Sequence, residues 1–294
     1  MKTILLTIVC NLIWTCTVFG QLSKIDLNGL DHRAHEFSGL AHKGDILYLL
    51  SESCKKVFTA SMGKSQITGS VSLSDFPDNI DLEGVCVYGQ YLFVTDERKN
   101  TIRAWNMMTS KEMKVSFDTK WNIPQNKSLS LGLEGISILP GKNKLFVVRE
   151  KNKDGKGELY SLDFKIKANT LHLSSTGSPQ LMDFGNTKKR VCGMDVSGDG
   201  KYMYLLITKI GNYEIWRYPI KNDKVDIKNS DVVLRFDLTI GVKSHENKYH
   251  TNIEGITVLN HDIYLISDNA QTDDTNCKLL GSSDKKTLLL KFTY

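Results

Sequence analysis

Seven carboxylates recur at matching places in this chain, and together they could hold a hard metal ion. Glu83, Glu134 and Glu254 each precede a glycine that opens an apolar run, in Leu82-Glu83-Gly84-Val85, Leu133-Glu134-Gly135-Ile136 and Ile253-Glu254-Gly255-Ile256. Glu52, Glu97, Glu150 and Asp268 close the apolar runs that come next, as in Phe93-Val94-Thr95-Asp96-Glu97. Such oxygen donors suit Ca²⁺, which takes roughly six to eight oxygens and tolerates irregular geometry. Without a cation, neighbouring glutamates repel and raise one another's pKa. A plainer role stays open beside this one: the glutamates accept backbone N–H bonds, and Asp96 and Asp268 cap turns.

A second group of residues could move protons. His32 and His35 precede the first glycine-led run, and His245 and His250 precede the last. A histidine beside a metal-held water makes a general base for hydrolysis of esters, lactones or phosphoesters. The same residues also read as solvent-facing spacers. No GxSxG elbow is present, so nucleophilic serine catalysis finds no support. Arg98, Arg149 and Lys151 follow the strand-ending acids. They either neutralise those acids, at about 0–1 kcal/mol for an exposed pair, or grip a phosphate or carboxylate ligand.

What must position these groups is a repeat. Gly39, Gly84, Gly135, Gly193 and Gly255 lie 45, 51, 58 and 62 residues apart, a period that belongs to the four-stranded blades of a β-propeller. Blade 2 is the clearest unit: Glu83 to Tyr88, Tyr91 to Thr95, Thr101 to Asn106 and Lys111 to Phe117 read as its four strands. Turn residues fall where each first hairpin needs them, at Gly89-Gln90, Pro140-Gly141, Gly198-Asp199-Gly200 and Asn260-His261. The last blade ends at its third strand, Thr287 to Phe292, and Leu22 to Leu27 resembles an outer strand. The expectation is an all-β, five-bladed propeller over residues 21–294, its ring closed by the N-terminal strand pairing into the last blade. First strands then line a central channel, and both sets of acids converge on one mouth. Ser38 and Cys192 interrupt the glutamate series in blades 1 and 4.

Composition agrees with a globular domain, at 40% hydrophobic and 24% charged residues among 294. The formal net charge of +5 falls by one if Lys2 leaves with a signal peptide, and the dispersed lysines offer no nucleic-acid-binding face. Lys2, the apolar stretch Ile4 to Phe19 and the small residues Val18 and Gly20 read as a secretory signal peptide over 1–20, cut before Gln21. The run is short for a membrane span. Secretion or a periplasmic location is expected, with a monomer and no membrane span. Cys54, Cys86, Cys192 and Cys277 remain after such cleavage, and they allow disulfides in three pairings. Cys54 and Cys277 fall in second-to-third-strand connections of adjacent blades.

The Glu83-Gly84-Val85 and Glu134-Gly135-Ile136 strands, with Thr95-Asp96-Glu97-Arg98 and Arg149-Glu150-Lys151 after them, resemble the SdiA-regulated family. Ser38-Gly39-Leu40 with Ser51-Glu52, and Glu254-Gly255-Ile256 with Ser267-Asp268, follow the same order. The resemblance implies a five-bladed propeller with a calcium site, distantly related to NHL-repeat proteins and to esterase-like propellers associated with phytases. Blade 4, with Val191-Cys192-Gly193 and Thr208-Lys209, departs most from it. The function expected is a secreted calcium-binding recognition module that takes a small-molecule or protein ligand at its acidic mouth. A calcium-dependent hydrolase is the alternative.

Overall fold

A computed structural model describes residues 21–31, 33, 35–73, 80–118, 123, 131–209, 212–237, 252–268, 277 and 287–294. The signal peptide and His32, His245 and His250 lie outside the described residues. Five antiparallel-cored sheets follow one another along the chain, and no helix occurs among the described residues. The innermost strands are Phe37–Lys43, Leu82–Tyr88, Leu133–Ile138, Arg190–Val196 and Asn252–Leu259. Each packs against the innermost strands on both sides, and the last returns to the first. This is a five-bladed β-propeller.

The repeated glycine has a steric cause. A Cβ on Gly84 would stand 2.3 Å from the Glu134 carbonyl oxygen and 2.9 Å from the Ile136 nitrogen, both backbone atoms of the next blade. One on Gly135 would meet the Met194 backbone nitrogen at 2.6 Å. Five blades turn sharply around the axis, so successive inner strands approach more closely than any side chain permits. The residue before each glycine is thrown into a bulge, seen as a register shift in all five first hairpins. Bulges re-aim a side chain; here the re-aimed residues are Ser38, Glu83, Glu134, Cys192 and Glu254. Where the side chain is short it ties the ring together. The Ser38 hydroxyl donates to the Leu82 carbonyl, and the Cys192 thiol lies 3.4 Å from the Ile253 carbonyl oxygen.

Two positions beyond each glycine, the inner strand faces an aromatic ring on the second strand. Ala41, Cys86, Ser137, Asp195 and Thr257 stand opposite Tyr48, Phe93, Phe146, Tyr204 and Tyr264, all buried. Five hydrophobic clusters fill the five junctions between neighbouring blades. Fully burying one such aliphatic or aromatic side chain contributes about 1.5–3 kcal/mol. The fold is therefore held by its inter-blade seams, since a lone sheet has nothing to pack against.

Gln21–Ile25 pairs antiparallel with Leu289–Thr293, so the N-terminal strand closes the ring as the pattern predicts. A second tie crosses the same closure: Cys54 and Cys277 form a disulfide, while Cys86 and Cys192 are free and buried. Blade 2 differs from expectation. Its outer strand stops after Lys111–Glu112, and Lys114–Phe117 pairs instead in parallel with Thr170–Ser175 of blade 3. Met113, buried at the crossing, anchors the switch by donating its N–H to the Ala104 carbonyl. Alternating apolar and polar residues fix a strand's faces but not which neighbour it joins.

Candidate metal centre

The register of the first hairpins assigns each mouth residue a place. At the mouth end of the second strands stand Glu52, Glu97, Glu150, Thr208 and Asp268, equivalent in the five blades; the first three directly follow their strands and the last two lie within theirs. Opposite them, at the entry to the inner strands, stand Glu36, Asp81, Gly132, Arg190 and Asn252. The bulge residues Glu83, Glu134 and Glu254 lie one step deeper. In blades 1 to 3 the strand-ending acid is held by its own N–H: Glu52 donates to Glu36 O, Glu97 to Asp81 O, and Glu150 to Gly132 O.

Two triads result. Glu52, Asp81 and Glu83 bring carboxylate oxygens within 4.8 Å of one another at the seam between blades 1 and 2, half-buried. Glu97, Glu134 and Glu150 do the same between blades 2 and 3, fully buried. Glu83 and Glu134 thus each meet the strand-ending acid of the blade before them. Glu254 cannot, because Thr208 fills that place in blade 4. It accepts a hydrogen bond from Asn252 at 2.6 Å and feels Asp268 and Asp81 by charge. Asp81 was absent from the sequence-based set; Asp96 joins neither triad and lies 3.7 Å from Arg103.

The two triads differ in their counter-charge. Burial pushes Glu52 up to about 10, and Asp81, Glu36 and Glu254 add to the shift. Burial likewise holds Glu83 well above the carboxylate range, aided by Glu134, Glu254, Asp81 and Glu52. Among the described residues, the cation paired with this triad is half-exposed Arg98, 3.7 Å from Asp81. Around the second triad stands Arg190, whose guanidinium lies 3.9 Å from Glu150 Oε1. Burial works against the charge on Arg190, yet Cys192, Glu134, Glu150 and Glu254 more than offset it. Burial raises Glu134 and Glu150 as well, and raises Glu97 to about 7; Arg190 pulls all three back. Glu97 also accepts the Gly132 N–H at 2.9 Å.

Both donor sets consist of carboxylate oxygens alone, the hard ligands Ca²⁺ prefers. Two oxygens on one ion at about 2.3–2.6 Å lie at most about 5 Å apart, so either triad has the right span. Glu150 Oε2 is buried without a hydrogen-bond partner, the mark of an oxygen placed for something other than a protein donor. Glu52, Asp81 and Glu83, lacking an internal cation like Arg190, fit an ion best. Of the predicted histidines, His35 is described. It is buried, stacks on Phe37 and lies 2.8 Å from Asp31, a packed residue rather than a spacer.

A family model described as "Phytase-like: Esterase-like activity of phytase" matches residues 34–270. The chain belongs to this family. No curated protein matches the sequence. Among solved structures, this phytase-like propeller is similar to a glutaminyl cyclase from Myxococcus xanthus, at 13% identity over 93% of this chain and 97% of that one, TM-score 0.47. A chain of a nidogen/laminin complex shares 14% identity over 79% and 72% of the two chains, TM-score 0.46. A PQQ-bound aldose sugar dehydrogenase from Streptomyces coelicolor shares 10% over 93% and 98%, TM-score 0.44.

Proposed function

We propose that this phytase-like propeller binds one Ca²⁺ on Glu52, Asp81 and Glu83 and uses it to recognise an anionic ligand at the acidic mouth. The observation that carries this reading is the Glu52–Asp81–Glu83 triad, whose members Glu52 and Glu83 are pushed up by burial and then by neighbouring acids. The resemblance to SdiA-regulated propellers, with their calcium site, points the same way. Bound there, the ion supplies positive charge and open coordination positions for a phosphate or carboxylate. The protein residues orient that charge, because the bulge at Gly84 and the Glu52 N–H bond to Glu36 O fix two of the three donors. Export through residues 1–20 is part of the proposal. The Cys54–Cys277 disulfide supports it, since such bonds persist in oxidising compartments.

Arg190 supplies a test. In the wild type, calorimetric titration should give about one Ca²⁺ per chain. Arg190→Gln removes the internal cation from Glu97, Glu134 and Glu150, and the stoichiometry should rise to about two. Two ions bound by the wild type would overturn the part given to Arg190.

The family description favours a second reading, hydrolysis of esters or phosphoesters, and we take Ca²⁺ on the triad as the group such a reaction would use. Turnover of a phosphomonoester or lactone that needs Ca²⁺, stops with chelator and is lost in Glu83→Gln would replace the recognition role by this one. Ca²⁺ binding with no chelator-sensitive turnover on either substrate would leave recognition standing.

A further inference from the structure

The inner strands run from the acidic mouth to the opposite end of the channel, where a cavity opens among blades 1 to 4. His42, Lys43, Tyr88, Ser137, Ile138 and Asp195 are among its lining residues. Here the ring position two beyond the glycine is polar in blades 3 to 5, as Ser137, Asp195 and Thr257. Asp195 accepts from the Ser137 hydroxyl and the Val196 N–H on Oδ1, at 2.7 and 2.8 Å. On Oδ2 it accepts from the Thr257 hydroxyl and the Val258 N–H, again at 2.7 and 2.8 Å. With four donors, and with Ser137 and Thr257 belonging to blades 3 and 5, this carboxylate is fixed in place.

His42 completes the arrangement. Its Nδ1 lies 2.9 Å from the Thr257 hydroxyl oxygen and 3.8 Å from Asp195 Oδ2. The Thr257 proton is committed to Asp195, so its oxygen can only accept. That fixes His42 as the Nδ1–H tautomer and leaves the Nε2 lone pair free to accept a proton. The two ring nitrogens point in widely divergent directions, and Nδ1 is turned to Thr257.

We propose that this cavity is a metal-independent esterase site in which His42 is the catalytic general base, with Thr257 and Asp195 as positioning residues. The proposal does not rest on the calcium reading, whose triads lie at the other mouth. His42 Nε2 takes a proton from water as the water oxygen bonds to the ester carbonyl carbon, and the carbonyl electron pair moves onto oxygen. The tetrahedral species then expels the alcohol oxygen, which takes the proton back from His42. Acid and alcohol leave, and the imidazole is neutral again. A histidine base acting alone, as proposed here, suits a neutral carboxylic ester better than a phosphoester, whose negative charge repels the attacking water oxygen. Tyr88, Ile138 and Pro140 give the cavity an apolar wall for an acyl or aryl group, and the Lys43 ammonium, which donates to the Gly89 carbonyl at 2.6 Å, adds positive charge at its edge.

The test is hydrolysis of 4-nitrophenyl butyrate by the full chain with chelator present. Turnover should persist, and His42→Gln should lower kcat/KM about 100-fold, the lower end for a general base. His172→Gln, on an exposed outer strand, should leave it unchanged. Thr257→Val should lower kcat at constant KM, and Thr257→Ser should restore it, a split that a merely structural role would not produce. In the wild type, ¹⁵N spectra should show His42 as the Nδ1–H tautomer, a readout that needs no variant to fold. Turnover that is absent or stops with chelator overturns the proposal, as does His42→Gln hydrolysing like the wild type or an Nε2–H tautomer. Failure of the calcium reading is separate, and shows as the absence of Ca²⁺ binding.

Discussion

Saturating Ca²⁺ should raise the melting temperature at pH 8 by about 5–10 °C over the same protein in chelator. At a free concentration of one hundred times Kd the gain is about 2.7 kcal/mol, and each kcal/mol moves the melting point of a chain this size by about 2–4 °C. The pH dependence of the chelated protein has a defined sign. A carboxyl whose folded pKa lies above its unfolded value stabilises the fold while it is protonated. Stability is then fully present below the ordinary carboxylate range and is lost as pH rises through the folded values. Those values are about 7 for Glu97, about 8 for Glu254 and about 10 for Glu52. Chelated protein should therefore melt progressively lower from pH 5 to pH 9, and Ca²⁺ should flatten that decline. Glu83→Gln separates charge relief from metal binding. In chelator the variant should melt above the wild type, because one repelling carboxylate is gone; with Ca²⁺ the order should reverse. Identical curves with Ca²⁺ and chelator across this range would remove the metal from the mouth.

Gly84→Ala is expected to be among the most damaging single-methyl changes in the chain. The new Cβ would stand 2.3 Å from the Glu134 carbonyl oxygen, and neither backbone can turn away as a side chain can. Blades 2 and 3 would have to part at the axis, opening a seam packed by Phe93, Ile136 and Val147. Overpacking of a core costs about 1–3 kcal/mol, and with backbone on both sides the loss should be about 3 kcal/mol or more. Gly63→Ala is the control. A Cβ there has nothing within 4 Å, and its effect should stay within about 0.5 kcal/mol. Urea unfolding of both variants decides the matter, and equal midpoints would show that the glycine is not a steric requirement. Because Glu83 and Glu134 flank this contact, Gly84→Ala should also weaken Ca²⁺ binding.

The propeller and its closure were legible because one steric demand repeats. A tight axis selects glycine in every blade, and the turn residues of the first hairpins repeat after it. The mouth acids that share this register, Glu52, Glu97 and Glu150, were legible for the same reason. Asp81 was not. It stands two residues before Glu83, and its counterparts are Glu36, Gly132, Arg190 and Asn252, so its type does not recur. The Asp81-Leu82-Glu83 spacing, two carboxylates on one side of an extended segment, was the available signal. Arg190 escaped similarly, since a basic residue in the blade that breaks the acidic pattern reads as loss of a ligand rather than as a substitute cation. The opposite mouth was hidden more deeply. Ala41, Cys86, Ser137, Asp195 and Thr257 share a position and no chemistry, and only the closed ring brings Thr257 of the last blade to His42 of the first. The step of Lys114–Phe117 into blade 3 depends on which sheet edge lies nearer, which no local pattern encodes.

The closure of the last blade by Gln21–Ile25 has a consequence for how the chain can be cut and joined. Gln21 stands directly opposite Thr293 in the sheet, so the two ends of the described propeller meet as the arms of a hairpin would. A short turn joining them would turn the ring into a continuous loop, and a new start could then be opened at the exposed turn of another blade, such as Gly44. Such permuted chains keep every seam and both mouths while changing which blade is made last during synthesis. In the natural order, Gln21–Ile25 must wait for Leu289–Thr293 before it can pair.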